Sequence, residues 1–343
     1  MQIGIDISRL ATTQRTGTER YTWEVVAGMA AAPGDNDYVL YCRTLPAELP
    51  PFAGRMQVRV LPFARLWTHI RLAWELWRQP PEVLFVPSHV LPWNVRLVRG
   101  MRVVTTVHDL GFLHFPQAHT HFQNMYLRLT TRWAAWAADT VIAISQATAD
   151  DLVGYTGVDR RRVVVIPHGV APVFTPLAKK PMPWARYMVY VGTLQPRKNL
   201  ARLIEAFARA QTHPDTQLLI AGRAGWLSEP LADIARSHGV ADRVHLIGFV
   251  PDADLPSLLA GARAFIFPSL YEGFGMPVLE AMASGAAVLT STTSALPEVA
   301  GDAACLVDPT DVDAIATGIS RLDGDDAYHA DLVAKGFQQA QRF

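Results

Sequence analysis

Several features that mark specialised proteins are scarce or missing in this 343-residue sequence. Its two cysteines, Cys42 and Cys305, are too few and too distant to predict a disulfide framework or a zinc site. No run of about 18 apolar residues predicts a membrane-spanning helix, and Met1–Asp6 predicts a strand rather than a signal peptide. The formal net charge is zero, so nothing global indicates nucleic-acid binding. We therefore expect a cytoplasmic protein.

Common cofactor and nucleophile motifs are missing as well. No Gly-x-Gly-x-x-Gly follows the first predicted strand, which disfavours nicotinamide and flavin cofactors. The sequence has no Walker A motif, no Gly-x-Ser-x-Gly nucleophile elbow and no His-Glu-x-x-His. Dehydrogenases, P-loop nucleotidases, serine hydrolases of the elbow type and zinc proteases are therefore poor candidates.

What is present is the composition of a folded two-domain protein. Half of the residues are hydrophobic and 18% are charged, and 343 residues are about twice a usual domain length. Short runs rich in Val and Ile alternate with segments of helical spacing, such as Glu19–Met29 and Phe122–Ala138. Runs without polar alternation indicate parallel strands buried on both faces. The alternation predicts an α/β fold with doubly wound sheets.

We predict thirteen strands in two groups. The strands of the first group are Gln2–Ile7, Tyr38–Cys42, Gln57–Leu61, Val83–Val86, Arg102–Val107, Thr140–Ile144 and Val163–Ile166. Those of the second are Tyr187–Val191, Gln217–Ala221, Val244–Ile247, Ala264–Phe267, Ala287–Thr290 and Ala304–Val307. Between the groups, residues 173–183 are rich in proline and hold two adjacent lysines, which predicts a linker. The predicted domains are 1–172 and 184–325, followed by a helical segment over 326–343.

The most informative segment is Pro268-Ser-Leu-Tyr-Glu-Gly-Phe-Gly-Met-Pro-Val-Leu-Glu280, between a predicted strand and a helix. Ligands of open α/β sheets bind at the carboxyl ends of strands, which is where Glu272 stands. Gly273 and Gly275 permit close backbone approach to a ligand. Pro277 suits the first turn of a helix, whose amino end attracts phosphate. A lone glutamate here is more often a helix-dipole partner, but the whole string favours a binding site.

A second loop, Val191-Gly-Thr-Leu-Gln-Pro-Arg-Lys-Asn199, also follows a strand and precedes a helix. It carries two adjacent cations, Arg197 and Lys198. Fixed cations stabilise negative charge that develops on a leaving phosphate, and arginine binds phosphate with two parallel hydrogen bonds. The alternative is a solvated basic surface.

The first of these segments resembles the nucleotide-sugar signature of glycosyltransferase family 4, two glutamates separated by seven residues around Gly-Phe-Gly-Met-Pro. The resemblance implies that Glu272 contacts the hydroxyls of the donor sugar and that Glu280 contacts the ribose. It also implies that backbone amides of Phe274, Gly275 and Met276 bind sugar and phosphate oxygens. The implied fold is GT-B, two Rossmann-like doubly wound domains facing a cleft, with the donor held mainly by the second domain.

The loop around Gly192 resembles the pyrophosphate-binding loop of the same family. Many members have arginine directly after the glycine, where this chain has Thr193. A subgroup similar to mannosyltransferases of O-antigen assembly instead reads Gly-Thr-Leu followed by Pro-Arg-Lys-Asn, as here. The resemblance gives the arginine role to Arg197 and places Lys198 beside it. Arg223 lies in the sequence Ala-Gly-Arg at the end of another predicted strand. Either its side chain contacts the phosphate or base of the nucleotide, or the segment is only the turn that ends the strand.

The first domain supplies weaker signals. Gly17 follows the first strand and opens a helix, and in relatives such a glycine loop approaches the donor phosphate. His108 ends a buried strand. It is either a satisfied core histidine, the usual fate of a lone histidine, or, as the resemblance implies, a contact to the transferred sugar with a catalytic role. Asp109 is expected to brace the loop.

Residues 1–172 carry 17 Lys+Arg and 13 Asp+Glu, whereas residues 173–343 carry 14 and 18. The positive charge of the first half suits binding of an anionic acceptor or of a membrane surface. The alternative is that the charge difference is a chance variation between two solvent-exposed surfaces. The segment Arg65–Arg78 has Trp67, Trp74 and Trp77 at helical spacing between arginines. Such a helix either lies in a membrane interface or packs its tryptophans on the sheet.

The resemblance implies a retaining, metal-independent hexosyltransferase of cell-surface polysaccharide synthesis. No metal ligands are predicted, because no Asp-x-Asp lies in a predicted phosphate-binding loop; Asp311–Asp313, for example, lies beyond the nucleotide motifs. No resident cofactor is predicted either. The co-substrate is a nucleotide sugar, with GDP-mannose favoured and a UDP-sugar as the alternative. The acceptor is a saccharide or lipid-linked saccharide, and the protein acts in the cytoplasm at the inner face of the membrane, contacting it through Arg65–Arg78.

Two other functions remain open for the sequence. One is a GT-B epimerase acting on a nucleotide sugar, and the other is a non-catalytic nucleotide-sugar-binding scaffold. In relatives the last helix crosses back onto the first domain and the chain usually continues past the point matching Phe343. We therefore expect the crossing helix to be cut short.

Overall fold

A computed structural model describes residues 1–11, 17–50, 55–118, 120–178, 182–223, 225 and 230–343. Lys179 and Lys180 of the predicted linker lie outside these residues. The chain divides into two compact units. The first comprises Met1–Phe112 and His119–Ile166, and the second comprises Leu113–Ala118 and Pro167–Phe343.

The first unit is built on a seven-stranded sheet in which all neighbouring strands are parallel. Its strands are β1 (Gln2–Asp6), β2 (Asp37–Cys42), β3 (Met56–Val60), β4 (Val83–Val86), β5 (Arg102–Val107), β6 (Thr140–Ala143) and β7 (Val163–Val165). The strand order is β3-β2-β1-β4-β5-β6-β7. The winding direction therefore reverses between β1 and β4, the position where ligands of doubly wound sheets bind.

The second unit repeats this arrangement with six parallel strands. They are β8 (Tyr187–Val191), β9 (Gln217–Ala221), β10 (Val244–Gly248), β11 (Ala264–Phe267), β12 (Ala287–Ser291) and β13 (Ala304–Val307). In the order β10-β9-β8-β11-β12-β13, the switch point lies between β8 and β11. The loops that follow these two strands must therefore meet at one edge of the sheet.

Helices cover both sheets. In the first unit they are α1 (Gly17–Ala31), a π-helical turn (Thr68–Leu72) continuing into α2 (Ala73–Arg78), α4 (His121–Ala137) and α5 (Gln146–Thr156); α3 (Gly111–His114) bridges the division between the units in sequence. In the second unit they are α6 (Leu200–Arg209), α7 (Leu231–Ser237), α8 (Leu255–Gly261), α9 (Met276–Ala283), α10 (Leu296–Ala300), α11 (Val312–Gly324) and α12 (Asp326–Ala340). Short 3-10 turns lie at Ser8–Ala11, Val95–Leu97, Pro116–Ala118, Arg160–Arg162, Pro176–Ala178 and Pro196–Lys198.

Local chemistry explains where individual helices begin and end. At the start of α4 the Thr120 side chain accepts the backbone amide of Gln123, and the Gln123 side chain accepts the backbone amide of Thr120. This pair of bonds is a capping box. Ser145 caps α5, which ends at Gly157 with a φ of 70°, a left-handed conformation that glycine adopts without strain. Asp325 caps α12 by accepting from the Tyr328 amide.

All thirteen predicted strands are present, with ends shifted by a residue or so, and the predicted doubly wound α/β class is confirmed. The burial of strands in the second sheet explains why apolar runs in the sequence predicted them. Every residue of β11 and β12 is buried, so both faces of these strands demand apolar side chains. Helix α12 packs on α9 within the second unit, and its Gln339 side chain donates to the carbonyl of Val299 in α10 at 2.9 Å. In the part of the chain that the structure describes, no helix has the length and apolarity to cross a membrane.

Candidate functional site

Three charged side chains from two separate loops meet at the switch point of the second sheet. Arg197 and Lys198 lie in the loop after β8, and Glu272 lies in the loop after β11. The Arg197 Nη1 is 3.1 Å from Glu272 Oε2, and the Lys198 Nζ donates to Glu272 Oε1. Although 74 residues separate Lys198 from Glu272 along the chain, both were predicted as site residues from the sequence. We call these three residues the charged cluster.

The backbone holds the two loops of the charged cluster together. The amide of Leu270 donates to the carbonyl of Arg197 at 2.8 Å, and the Arg197 Nη1 donates to the carbonyl of Tyr271 at 2.9 Å. The Arg197 Nε also donates to Gln195 at 3.2 Å. The guanidinium is therefore fixed by several partners before any ligand arrives, which lowers the reorganisation needed to bind an anion.

Two supporting residues lie in segments that the sequence pointed to, but neither was given a role of its own. Asn199 has a left-handed backbone and is buried, and its Nδ2 donates to the carbonyls of Pro268 and Pro309, at 3.1 and 2.6 Å. Ser294 accepts the backbone amide of Glu272 through its Oγ at 2.9 Å. These bonds tie four loops of the sheet edge to each other, those that follow β8, β11, β12 and β13. An asparagine directly before a helix and after two cations was a usable signal, because asparagine tolerates the left-handed conformation.

The charged cluster keeps Glu272 ionised. Burial raises the pKa of its carboxyl, but the neighbouring Lys198 and Arg197 charges and the Lys198 hydrogen bond more than offset this and hold the pKa below its usual value. An ionised carboxylate accepts hydrogen bonds and cannot donate a proton. Each carboxylate oxygen of Glu272 already accepts a hydrogen bond from a cation, which lowers its nucleophilicity. The carboxylate is therefore better suited to accept hydrogen bonds from hydroxyl groups than to attack an anomeric carbon. The cluster carries a net positive charge and so favours an anionic ligand.

Two glycines bring the β8 and β9 loops into close approach. A Cβ placed on Gly222, whose φ is 153°, would lie 1.8 Å from the carbonyl oxygen of Gly192, so no other residue fits there. The amide of Leu194 then donates to the carbonyl of Arg223 at 2.9 Å. The Arg223 guanidinium lies 4.1 Å from the ring centroid of Phe249. Arg223 thus has a packing role, and its contact with a nucleotide stays a prediction.

The loop before helix α9 and the helix itself carry the remaining predicted donor-binding residues. It begins at Met276 with a proline in the first turn, as predicted, and Gly275 precedes it with a φ of 105°. A Cβ at Gly275 would lie 2.7 Å from the Leu296 side chain. Phe274 is buried, and so is Glu280, on the second turn of the helix. The roles of these residues toward sugar, phosphate and ribose stay predictions, although all of them lie on the loop and helix that follow β11.

The first unit has an opening at its own switch point. A cavity of about 480 Å³ is bordered by residues at or just beyond the ends of β1, β2 and β4, among them Asp6, Arg9, Arg43 and Ser88, and by Tyr126 of α4. Asp6 accepts the Ser8 amide at 2.9 Å, and burial raises the pKa of its carboxyl. The cavity therefore offers both cationic and hydrogen-bonding side chains to a polar ligand. Sequence reasoning did not single out these side chains.

The predicted residues of the first unit lie at the same sheet edge. Gly17 is the first residue of α1. The His108 Nε2 is 2.9 Å from the carbonyl oxygen of Pro87, and its ring packs edge-on against Tyr21 with centroids 4.7 Å apart. As expected, Asp109 braces its loop by accepting the Gly111 amide at 2.9 Å. His108 is thus a well-partnered histidine, and its contact with a sugar stays a prediction.

A second histidine, His89, was missed from the sequence although it closely follows β4, beside the switch point. Burial lowers the pKa of its imidazole to about 4, and the neighbouring His108 adds to the effect. Burial also lowers the pKa of His108. Both imidazoles are therefore neutral at pH 7 and are not fixed positive charges.

We expect the free energy of unfolding to fall as the pH drops from about 6.5 toward 4. The unfolded chain takes up protons on these histidines over that range, whereas the folded chain resists protonation. His89 alone accounts for up to about 3 kcal/mol of this loss, since its pKa falls from 6.5 to about 4. Urea unfolding of wild type and His89→Gln between pH 7 and 4 measures it. Equal pH slopes for the two proteins would contradict the assignment.

The aromatic helix predicted from Arg65 to Arg78 divides its tryptophans between core and solvent. Trp67 is buried and donates its Nε1 to the carbonyl of Leu61 at 2.7 Å. Trp74 and Trp77 are 58% and 59% exposed. Trp67, which directly precedes the helix that begins at Thr68, is thus buried, whereas the other two tryptophans lie on the surface.

The two parallel sheets, each with its site at a switch point, and the charged cluster define the class of the protein. They agree with the GT-B fold that the sequence predicted. Comparison with known proteins agrees. Residues 15–173 match Glycosyltransferase Family 4, and residues 180–339 match Glycosyl transferases group 1. The chain belongs to this glycosyltransferase family.

Individual relatives support the same conclusion. O-antigen chain mannosyltransferase B of Escherichia coli is 32% identical over 300 residues, which cover 84% of this chain and 77% of that protein. The structure of WaaG, a glycosyltransferase involved in lipopolysaccharide biosynthesis, superposes with a TM-score of 0.72 at 16% identity, covering 100% of this chain and 96% of WaaG. Anabaena Alr3699/HepE in complex with UDP-glucose gives 0.73 at 18% identity, covering 100% and 95%. The GT-B prediction is confirmed, and the enzyme is a glycosyltransferase.

Proposed function

We propose that the enzyme transfers mannose from GDP-mannose to a saccharide or lipid-linked saccharide, with retention of anomeric configuration and without a metal ion. A UDP-hexose is the alternative donor. The proposed setting is cell-surface polysaccharide synthesis in the cytoplasm, at the inner face of the membrane, with contact through Arg65–Arg78. The name of the Escherichia coli relative, an O-antigen chain mannosyltransferase, supports mannose and polysaccharide synthesis. The HepE complex with UDP-glucose supports a nucleotide-sugar donor.

The charged cluster carries this proposal. A sugar bonded to a nucleoside diphosphate presents hydroxyls next to two phosphates, and the cluster presents a carboxylate next to two cations. Glu272 accepts hydrogen bonds from the sugar hydroxyls, while Arg197 and Lys198 bind the diphosphate. Glu280 binds the ribose, and the backbone amides of Phe274 to Met276, at the amino end of α9, bind sugar and phosphate oxygens.

In the proposed reaction, the acceptor hydroxyl attacks the anomeric carbon from the face that the diphosphate leaves. The bond from the anomeric carbon to the phosphate oxygen breaks, and a bond to the acceptor oxygen forms. The departing diphosphate takes the hydroxyl proton. Arg197 and Lys198 stabilise the negative charge that accumulates on the diphosphate, which is the task that a divalent cation performs in metal-dependent enzymes. Chelation with EDTA should therefore leave the rate unchanged.

The first unit supplies the acceptor side of this proposal. The cavity beside β1 and β4 has the polar lining that a saccharide needs, with carboxyl, guanidinium and hydroxyl groups from Asp6, Arg9 and Tyr126 among others. Contacts of Gly17 with the donor phosphate and of His108 with the transferred sugar belong to the same proposal.

The donor is identified by thermal stability in the presence of GDP, UDP, ADP and dTDP and of their sugars. A ligand that binds only the folded state should stabilise the protein by about 2.7 kcal/mol at a hundredfold excess over its dissociation constant. We expect the largest shift with GDP-mannose and loss of that shift in Glu280→Gln. Glu298→Gln, an exposed glutamate on α10, is the matched control. If no nucleotide sugar shifts the wild type, the proposed donor site is wrong.

A further inference from the structure

Helix α4 is oriented with its large apolar side chains outward. Its buried residues are small or polar and include Thr130, Thr131, Ala134, Ala135 and Ala137. On the outer face, Phe122, Met125, Leu129 and Trp136 are 71%, 52%, 52% and 57% exposed. A surface helix of a soluble protein ordinarily buries its apolar stripe. Burial within the first unit therefore does not account for these side chains, and a contiguous exposed apolar patch marks an interaction surface.

Ring contacts connect α4 to the aromatic helix predicted from the sequence. Trp133 and Trp136 of α4 have centroids 5.2 Å apart, and Trp133 lies 5.5 Å from Trp93. Trp93, 49% exposed, lies 5.0 Å from His69 at the start of the other helix. The Asn94 side chain donates to the carbonyl of Ala73 at 2.8 Å. The two helices are thus joined through the segment that begins at Trp93.

The second helix adds its own exposed face to this area. Ile70 is 46% exposed, and it aligns with Trp74 and Trp77 at a spacing of four and seven residues, on one face of the helix. Leu72 and Leu76 are buried on the other side. We define the tryptophan surface as Ile70, Trp74, Trp77, Trp93, Leu129 and Trp136.

The charges around the tryptophan surface have one predominant sign. Residues 62–78, 92–100 and 121–139 contain seven arginines, no lysine and two acidic residues. Both acids are engaged: Glu75 forms salt bridges with Arg59 and Arg71 at 3.1 and 2.9 Å, and Asp139 accepts the Val103 amide at 2.7 Å. Arg96 lies 5.3 Å from the ring centroid of Trp136. A guanidinium group thus lies next to an indole ring of the surface.

From this combination we infer that the tryptophan surface binds the headgroup region of an anionic phospholipid bilayer. Tryptophan rings favour the boundary between headgroups and acyl chains, and arginines near the surface are attracted by anionic lipid. A second copy of the chain fits less well, because a symmetric contact would bring two arginine-rich surfaces together at an electrostatic cost. The inferred membrane contact includes helix α4 as well as the segment Arg65–Arg78. It rests on the proposed function in one respect, that a lipid-linked acceptor would place the enzyme at a membrane.

Vesicle flotation of the full chain tests the inference, using phosphatidylcholine alone and with about 30% phosphatidylglycerol. We expect binding to the anionic vesicles only, weakened by high salt. Trp74→Ala/Trp77→Ala and Leu129→Ser/Trp136→Ser should each weaken binding about tenfold. Leu177→Ser and Leu246→Ser, which are 93% and 45% exposed on the second unit, should bind like wild type. Brominated lipids should quench the tryptophan fluorescence of bound wild type.

Two results would overturn the inference. One is wild type that does not float with anionic vesicles. The other is that the surface joins two copies of the chain. In that case light scattering would show that the variants convert dimers into monomers, while their flotation would not change. All variants replace exposed side chains, and an unchanged melting temperature verifies that they fold. Turnover of a water-soluble saccharide acceptor in the absence of vesicles should be unchanged in them. That assay reports on the proposed function separately, since it can fail while flotation succeeds.

Discussion

Replacing both cations of the charged cluster, as Arg197→Gln/Lys198→Met, should lower kcat for hexose transfer by about 10⁴-fold. Removal of one fixed donor next to developing negative charge typically costs about 10²- to 10³-fold in kcat, and here two are removed at once. The affinity for the nucleoside diphosphate should fall as well, because the site loses its net positive charge. Single-turnover kinetics with saturating donor separate the effect on chemistry from the effect on binding.

Folding has to be controlled in this experiment, because the double variant leaves the buried Glu272 carboxylate without its cationic partners. An unpaired buried charge destabilises a protein by about 3–5 kcal/mol. Adding Glu272→Gln gives a neutral cluster of similar volume, which should recover the melting temperature but not the activity. Arg209→Gln, on the exposed part of α6, is the matched control and should turn over normally. A double variant that keeps more than about a tenth of the wild-type kcat would contradict the leaving-group role.

Glu272→Gln alone should change two measured quantities in opposite directions. Binding of the nucleoside diphosphate without sugar should become tighter. In wild type the Glu272 carboxylate, 3.1 Å from the Arg197 guanidinium, competes with phosphate for the two cations, and the variant lacks this carboxylate. For a phosphate about 6 Å from the removed charge, the gain is about 1–3 kcal/mol. Transfer of the hexose should slow by about 10²-fold, because hydrogen bonds from sugar hydroxyls to a charged acceptor are lost.

Isothermal titration with the diphosphate and a transfer assay on the same variant measure the two effects. Without ligand, Glu272→Gln should melt lower than wild type, since Lys198 is buried and loses its partner. The diphosphate should recover more stability in the variant than in wild type. Weaker diphosphate binding in Glu272→Gln would show that the carboxylate supports the phosphate site rather than competing for its cations.

The sequence indicated the strands of both sheets because parallel strands covered by helices on both sides are apolar on both faces. β11 and β12 are fully buried, and the alternation with helices left a doubly wound order as the natural arrangement. Placement of Arg197, Lys198 and Glu272 followed from the same rule. Each stands in a loop at the carboxyl end of a strand, and the resemblance to family 4 had already named these residues.

Interactions between distant residues were beyond the reach of the sequence. Nothing local to Asn199 shows that its amide reaches the carbonyls of both Pro268 and Pro309. The tryptophan pattern was ambiguous for a physical reason: helical spacing defines a face but not the neighbour that the face meets. Trp67 proved buried and Trp74 exposed. The outward face of α4 was missed because its Thr and Ala residues, not its large apolar ones, pack inward.

The most direct test of the central claim is the fate of the donor sugar. The full chain is incubated with GDP-mannose labelled with ¹³C at the anomeric carbon, a mannose-terminated saccharide and EDTA, and the product is followed by NMR. We expect a new glycosidic bond with the anomeric configuration of the donor, formed by wild type and not by Arg197→Gln/Lys198→Met. A product of inverted configuration would contradict the retaining reaction. Stable donor binding with no transfer to any saccharide acceptor would contradict the assignment of hexose transfer itself.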